Sequence, residues 1–144
     1  MSSTLPLHLF SFKGRINRLS YLGYSIGSVV AGTAGVWFAA FLSSNPSSII
    51  FVAMALMAIF MIATFWLTFS LAVKRLHDIG SPGTTLIGAM IALALLSFLD
   101  HAGVLSTLLA IAFNALLFFK PGQPEANAWG PPPISGTKGL VSAE

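Results

Sequence analysis

Four runs of apolar residues divide the chain, and turn-forming residues separate them. They extend from Leu19 to Leu42, from Ile49 to Val73, from Thr84 to Leu99 and from Val104 to Phe119. A membrane-spanning helix needs about 20 apolar residues, each adding about 1.5 Å. The first two runs exceed that length. The last two, about 16 residues each, reach roughly 24 Å, which is short for an average bilayer. They are helical by pattern all the same, because "GAMIALALLSFL" and "LSTLLAIAFNALLFF" contain neither proline nor charge. The pattern therefore predicts an all-α, integral membrane four-helix bundle with short loops. Residues 1–18 form an interfacial N-terminal segment in this reading, with the leucines and phenylalanines of "LPLHLFSF" dipping into the interface. Residues 120–144 form a Pro/Gly-rich tail that turns near the membrane and loses order after about Ser135.

Composition agrees with lipid as the solvent. The chain is 56% hydrophobic and 8% charged, against about 25% charged residues in an ordinary soluble domain. It has no cysteine, which excludes disulfides and thiolate metal sites. Its net charge of +3 rests on seven basic residues, too few for a broad nucleic-acid-binding face. No cofactor and no metal site is expected.

Where the charges stand matters more than their sum. Lys13, Arg15 and Arg18 precede the first run, Lys74 and Arg75 follow the second, and Lys120 and Lys138 follow the fourth. The loops "SSNPSS" and "DHAG" carry no Lys or Arg. Lysine and arginine mark the cytoplasmic side. The chain then crosses four times, with both termini cytoplasmic. A re-entrant hairpin made of the third and fourth runs has the same charge pattern, but it would place Asp100 and His101 inside the membrane, which is costly unless they are paired. The N-terminus lacks the early basic region and cleavage site of a secretory signal peptide.

Several features can carry packing or chemistry. Gly23, Gly27, Ala31 and Gly35 recur every fourth residue, a small-residue stripe that lets another helix approach closely, within the chain or in a second copy. Met54, Met57 and Met61 stand at helical spacing; thioethers bind soft metals, but packing is the simpler reading. Asn114, inside the fourth run, seeks a partner on a neighbouring helix, with Thr64 or Thr68 as candidates.

The one densely charged stretch is "LAVKRLHDIGSPG", residues 71–83. Cations there suit the C-terminal end of the second helix. Arg75 and Asp78 are spaced to meet on one helical face, as are Lys74 and Asp78. Gly80 supplies a left-handed stop, and Thr84 or Thr85 can cap the next helix. In "GRINR", Arg15 and Arg18 sit one helical turn apart at the same depth as Arg75. Amides at a helix start attract anions, and arginines beside them suit a phosphate or carboxylate. His77 and Asp78 are neighbours, so on a helix their side chains diverge by about 100° and do not make a catalytic dyad.

Three pieces, "FKGRINR" with Tyr21, "RLHDIG" followed by Ser81 and Gly83, and "PG" followed by "NAWGPPP", resemble in order and spacing the DUF805 family of small bacterial inner-membrane proteins. The resemblance covers roughly residues 10–133, and "RLHD" before a glycine turn is its most specific part. The family pattern falls on Gly14, Arg15, Arg18, Tyr21, Arg75, Leu76, His77, Asp78, Gly80, Ser81, Gly83, Pro121, Gly122, Asn127, Gly130 and Pro133. Pro82 between Ser81 and Gly83, Thr84 in place of a tryptophan, and Pro132 in place of an acid depart from it. The resemblance implies an integral membrane fold and no established activity.

All three pieces fall on the cytoplasmic side of the topology above, where they can form one polar cap anchored by Trp129. The expected function is that of a non-enzymatic inner-membrane protein. Its cap, through Arg15, Arg18, Arg75, His77, Asp78, Asn127 and Trp129, binds an anionic lipid headgroup or a protein partner. Expected partners are membrane lipids, a second copy of the chain or another membrane protein, and no nucleic acid. Two alternatives are a small transporter or channel subunit lined by Asn114, Thr64 and Thr68, and a small membrane enzyme using His77 and Asp78.

Overall fold

The computed structural model describes residues 9–44, 50–101 and 103–133. Four helices account for most of them: α1 Arg18–Ser43, α2 Ile50–Asp78, α3 Thr84–Leu99 and α4 Val104–Phe119. They pair as two hairpins, α1 with α2 and α3 with α4. α1 and α2, of 26 and 29 residues, are long and apolar enough to cross a membrane. At about 1.5 Å per residue α2 is roughly 44 Å long, whereas α3 and α4 reach roughly 24 Å, so the second hairpin covers little more than half of the first.

Local chemistry sets each helix end. Asn17 caps α1 by accepting from the Ser20 amide at 2.7 Å. α2 ends in a Schellman motif: the Ser81 amide donates to the Leu76 carbonyl (2.8 Å) and the Gly80 amide to that of His77 (3.2 Å). Gly80 has φ +83°, a left-handed conformation that favours glycine, and a Cβ there would also push aside the Gln123 side-chain amide, 2.3 Å away. The threonines do not cap α3. Its cap is Gly83, with no side-chain bond. Asp100, which follows α3, instead caps α4 by accepting from the Leu105 amide at 2.6 Å, an anion at a helix N-terminus.

The α1–α2 interface runs along Ser28, Gly32, Gly35 and Ala39, all buried. A Cβ on Gly32 would stand 2.2 Å from Thr64 Oγ1, and one on Gly35 would stand 2.4 Å from the Phe60 ring. The small-residue stripe therefore lies elsewhere than its fourfold spacing suggests. Gly35 packs within the chain, but a Cβ on Gly23 or Gly27 would meet nothing within 4 Å, and Ala31 is exposed. Tyr21, Ser28, Gly32, Gly35 and Ala39 follow the 7, 4, 3, 4 spacing of one face of a straight helix pair, and Gly23–Ala31 faces away from it.

Tight packing is concentrated at one end of the molecule, where Ile16, Tyr21, Leu71, Ala72, Val73, Leu76, Ile79, Leu86 and Leu117 form a single cluster. Elsewhere large apolar side chains stand exposed, among them Trp37 (73%), Phe51 (78%) and Phe98 (83%). Met54 and Met61 are more than half exposed, so they fill no gap inside the chain. Asn114 donates to the Ala110 carbonyl of its own helix at 2.9 Å, and Thr68 donates to the Thr64 carbonyl at 2.8 Å. The expected bond between the two helices does not form, because each polar group is satisfied one turn back along its own helix. Residues 9–12 lie against α2: the Trp66 indole donates to the Phe10 carbonyl at 3.1 Å, and Phe12 packs on Trp66 and Phe69. The first eight residues of the chain, and Lys138 in the tail, lie outside the described residues.

Candidate functional site

The three motif pieces meet at the tightly packed end. Asp78 is the centre, with its side chain 3% exposed. Arg15 comes from the segment before α1. Its Nε and Nη2 donate to Asp78 Oδ1 at 3.2 and 3.0 Å. Arg75, one helical turn before Asp78, donates from Nη1 to Asp78 Oδ2. One carboxylate thus bridges two guanidiniums whose side chains are each 1% exposed.

The remaining arginine donors meet backbone carbonyls. Arg15 Nη1 donates to the carbonyls of Glu125 (2.7 Å) and Gly130 (3.3 Å), and Nη2 donates to that of Gln123. Arg75 Nε donates to the Leu117 carbonyl at 2.7 Å, and its Nη2 to that of Lys120. These carbonyls belong to the last turn of α4 and to the tail, so the arginines tie the segment before α1, the end of α2, the end of α4 and the tail together around Asp78. Among the described residues no buried side-chain nitrogen or oxygen lacks a partner. That completeness is what makes buried charge tolerable, since an unmatched ion away from water is very costly.

His77 and Asp78 point to separate partners, as their adjacency implies. The His77 ring lies 4.7 Å from that of Trp129 at an interplanar angle of 8°, and its Nδ1 is 3.2 Å from the Gly14 carbonyl. Asn127 donates to the His77 carbonyl (2.9 Å) and to Gln123 Oε1 (2.8 Å). It also closes a tight turn, exchanging backbone bonds with Gly130 and accepting from the Trp129 amide. Trp129 is therefore seated on the histidine.

One expectation is altered by this geometry. By sequence, Arg15 and Arg75 are candidates to grip an outside anion; their donors are instead directed at Asp78 and at carbonyls, because guanidiniums this deeply buried need internal acceptors. Arg18 alone of the three is exposed, and its side chain makes no hydrogen bond among the described residues. It stands close enough for its charge to act on Arg75. Sequence reasoning also missed three residues. Asn17 gave a readable signal, a capping residue directly before an apolar run. Gln123 and Ser70, which use a tail carbonyl or reach the Leu9 and Ser11 carbonyls, gave none. Gly122, a position of the family pattern, packs against the cluster: a Cβ there would lie 2.1 Å from Asp78 Oδ2.

The match to a known family covers this whole constellation. The model for a protein family of unknown function, DUF805, matches residues 9–131. The chain belongs to the DUF805 family. The matched span contains Arg15, Arg75, Asp78 and Asn127, the residues that hold the cap of this family member together. No curated protein and no solved structure matches the chain.

Proposed function

We propose that this DUF805 protein is a non-enzymatic, multi-pass protein of the bacterial inner membrane, and that its capped end lies in the cytoplasm and binds an anionic lipid headgroup. Exposed apolar surface on all four helices supports insertion, since water is a poor solvent for it. Charge supports the orientation. At the capped end Lys13, Arg15, Arg18, Lys74, Arg75 and Lys120 stand against Asp78 and Glu125, six positive charges less two negative, or +4 among the described residues. At the other end Asp100 is the one charged group among them, apart from the titratable His101.

The observation that carries the reading is the imbalance of the buried cluster. Two guanidiniums share one carboxylate, which leaves one formal positive charge locked under the surface. Exposed Arg18 adds a second beside it. The cap is in this sense a fixed positive field with the exposed Arg18 guanidinium at its edge, suited to a phosphate at headgroup depth.

The test is lipid retention. Purified in a mild detergent, the parent protein should carry anionic phospholipid, and an Arg18→Gln variant should carry several-fold less. Equal retention of anionic lipid by the two, at equal thermal stability, refutes headgroup binding. An acidic protein lost from the purified material in its place would assign the same field to a partner.

A further inference from the structure

The two hairpins meet at the cap and leave a cleft of about 510 Å³ between them. This is within the range of about 300–1,000 Å³ usual for ligand sites. Val29, Phe69, Met90, Leu93 and Phe113 supply its largely hydrocarbon wall. Its few polar groups are Tyr21, Ser25, Thr68 and Asn114. Two of them are committed, since Thr68 and Asn114 bond to carbonyls of their own helices. No acid or base lines it, so a charged solute has no partner there.

The mouth differs from the interior. Arg18, Tyr21 and Ser25 stand at i, i+3 and i+7 and so share one face of α1. That face lines the cleft from Tyr21 onward. Arg18 is thus one turn beyond the lining, on the cap side. An exposed cation therefore stands one helical turn beyond the mouth of an open, largely apolar cleft. The complementary ligand is an anion joined to a long hydrocarbon chain.

We infer that the cleft between the hairpins holds one acyl chain of an anionic glycerophospholipid whose phosphate is bound by Arg18. This rests on the headgroup reading above and deepens it. In a bilayer the chain is already in hydrocarbon, so the slot contributes position and selectivity, and the discrimination between lipids comes from the charge at its mouth.

The experiment is a titration of the full-length protein in detergent, read by native mass spectrometry. The probes are phosphatidylglycerol, phosphatidylcholine with the same chains, and glycerol 3-phosphate. One phosphatidylglycerol should bind about tenfold more tightly than phosphatidylcholine, the gain expected from one charge-assisted contact. Glycerol 3-phosphate should not displace it. Arg18→Gln should bring phosphatidylglycerol down to the phosphatidylcholine level, and Val29→Trp, which fills the slot, should remove both. If Val29→Trp binds as the parent does while Arg18→Gln does not, headgroup binding stands and the acyl slot is overturned. If neither change matters, both fall. Should Val29→Trp not fold, a phosphatidylglycerol with a photoreactive acyl chain decides on the parent protein. Crosslinks at Met90, Leu93 or Phe113 support the slot, and crosslinks confined to outward positions such as Trp37 overturn it.

Discussion

Replacing Asp78 with asparagine keeps the shape of the side chain and removes its charge. The carboxylate lies between Arg15 and Arg75, with side chains 1–3% exposed on all three. Without it two guanidiniums face each other beneath the surface, and the asparagine amide adds donors where acceptors are needed. Removing one partner of a buried ion pair costs about 3–5 kcal/mol. Here one substitution unpairs two cations, so the loss belongs at the upper end of that range, though the two pairs do not add fully. Small proteins are stable by about 5–15 kcal/mol in total, and a loss of this size should lower the unfolding midpoint by roughly 10 °C or more. The assay is thermal unfolding in one fixed detergent, followed by far-UV circular dichroism. Arg15→Gln alone and Arg15→Gln with Asp78→Asn complete a double-mutant cycle. The double variant should lose clearly less than the sum of the single losses, because the second change removes a charge that the first has already stranded. A midpoint for Asp78→Asn within about 2 °C of the parent, worth less than about 1 kcal/mol, or strictly additive losses, would refute the account of the cap as a carboxylate-centred lock.

Three further outcomes are expected. Gly32→Val should destabilise the α1–α2 hairpin by about 1–3 kcal/mol through overpacking against Thr64, whereas Gly27→Val, with open space around it, should change the melting midpoint little; similar effects at both positions would contradict the assigned interface. Trp129→Ala should loosen the tail by about 0.5–1.5 kcal/mol through loss of the His77 stack, with Trp129→Phe retaining part of it, read as tail proteolysis rates; equal rates in the parent and both variants would show that the stack does not hold the tail. Because the chain has no native cysteine, single cysteines report topology cleanly: Lys13→Cys and Glu125→Cys should label from the cytoplasmic side and Ser44→Cys from the other, and labelling of positions 13 and 44 from one side would overturn the proposed orientation.

The helices were legible because their cause is local. Apolar runs with Gly, Pro and Asp between them place four helices, and the third and fourth agree with Thr84–Leu99 and Val104–Phe119. The stop at Gly80 was legible for the same reason, since a left-handed residue after a charged helix end needs no partner from elsewhere. α2 accordingly continues past the apolar run to Asp78, the helix end that a stop at Gly80 implies.

By itself the sequence determined the number of helices, their apolar character, and the gathering of basic residues, Arg15, Arg75 and their neighbours, at one end, since each follows from spacing along the chain. The tertiary structure decided which of those charges remain available. Arg15, Arg18 and Arg75 look alike in sequence, yet two are closed by Asp78 and by carbonyls from residues more than 40 positions away, and one is left open. It also decided that Gly32 and Gly35 pack while Gly23 and Gly27 do not. Both outcomes depend on which face of a helix meets another segment, and that is fixed by long-range packing and by the need of every buried donor for an acceptor, neither of which is written in the spacing of one segment.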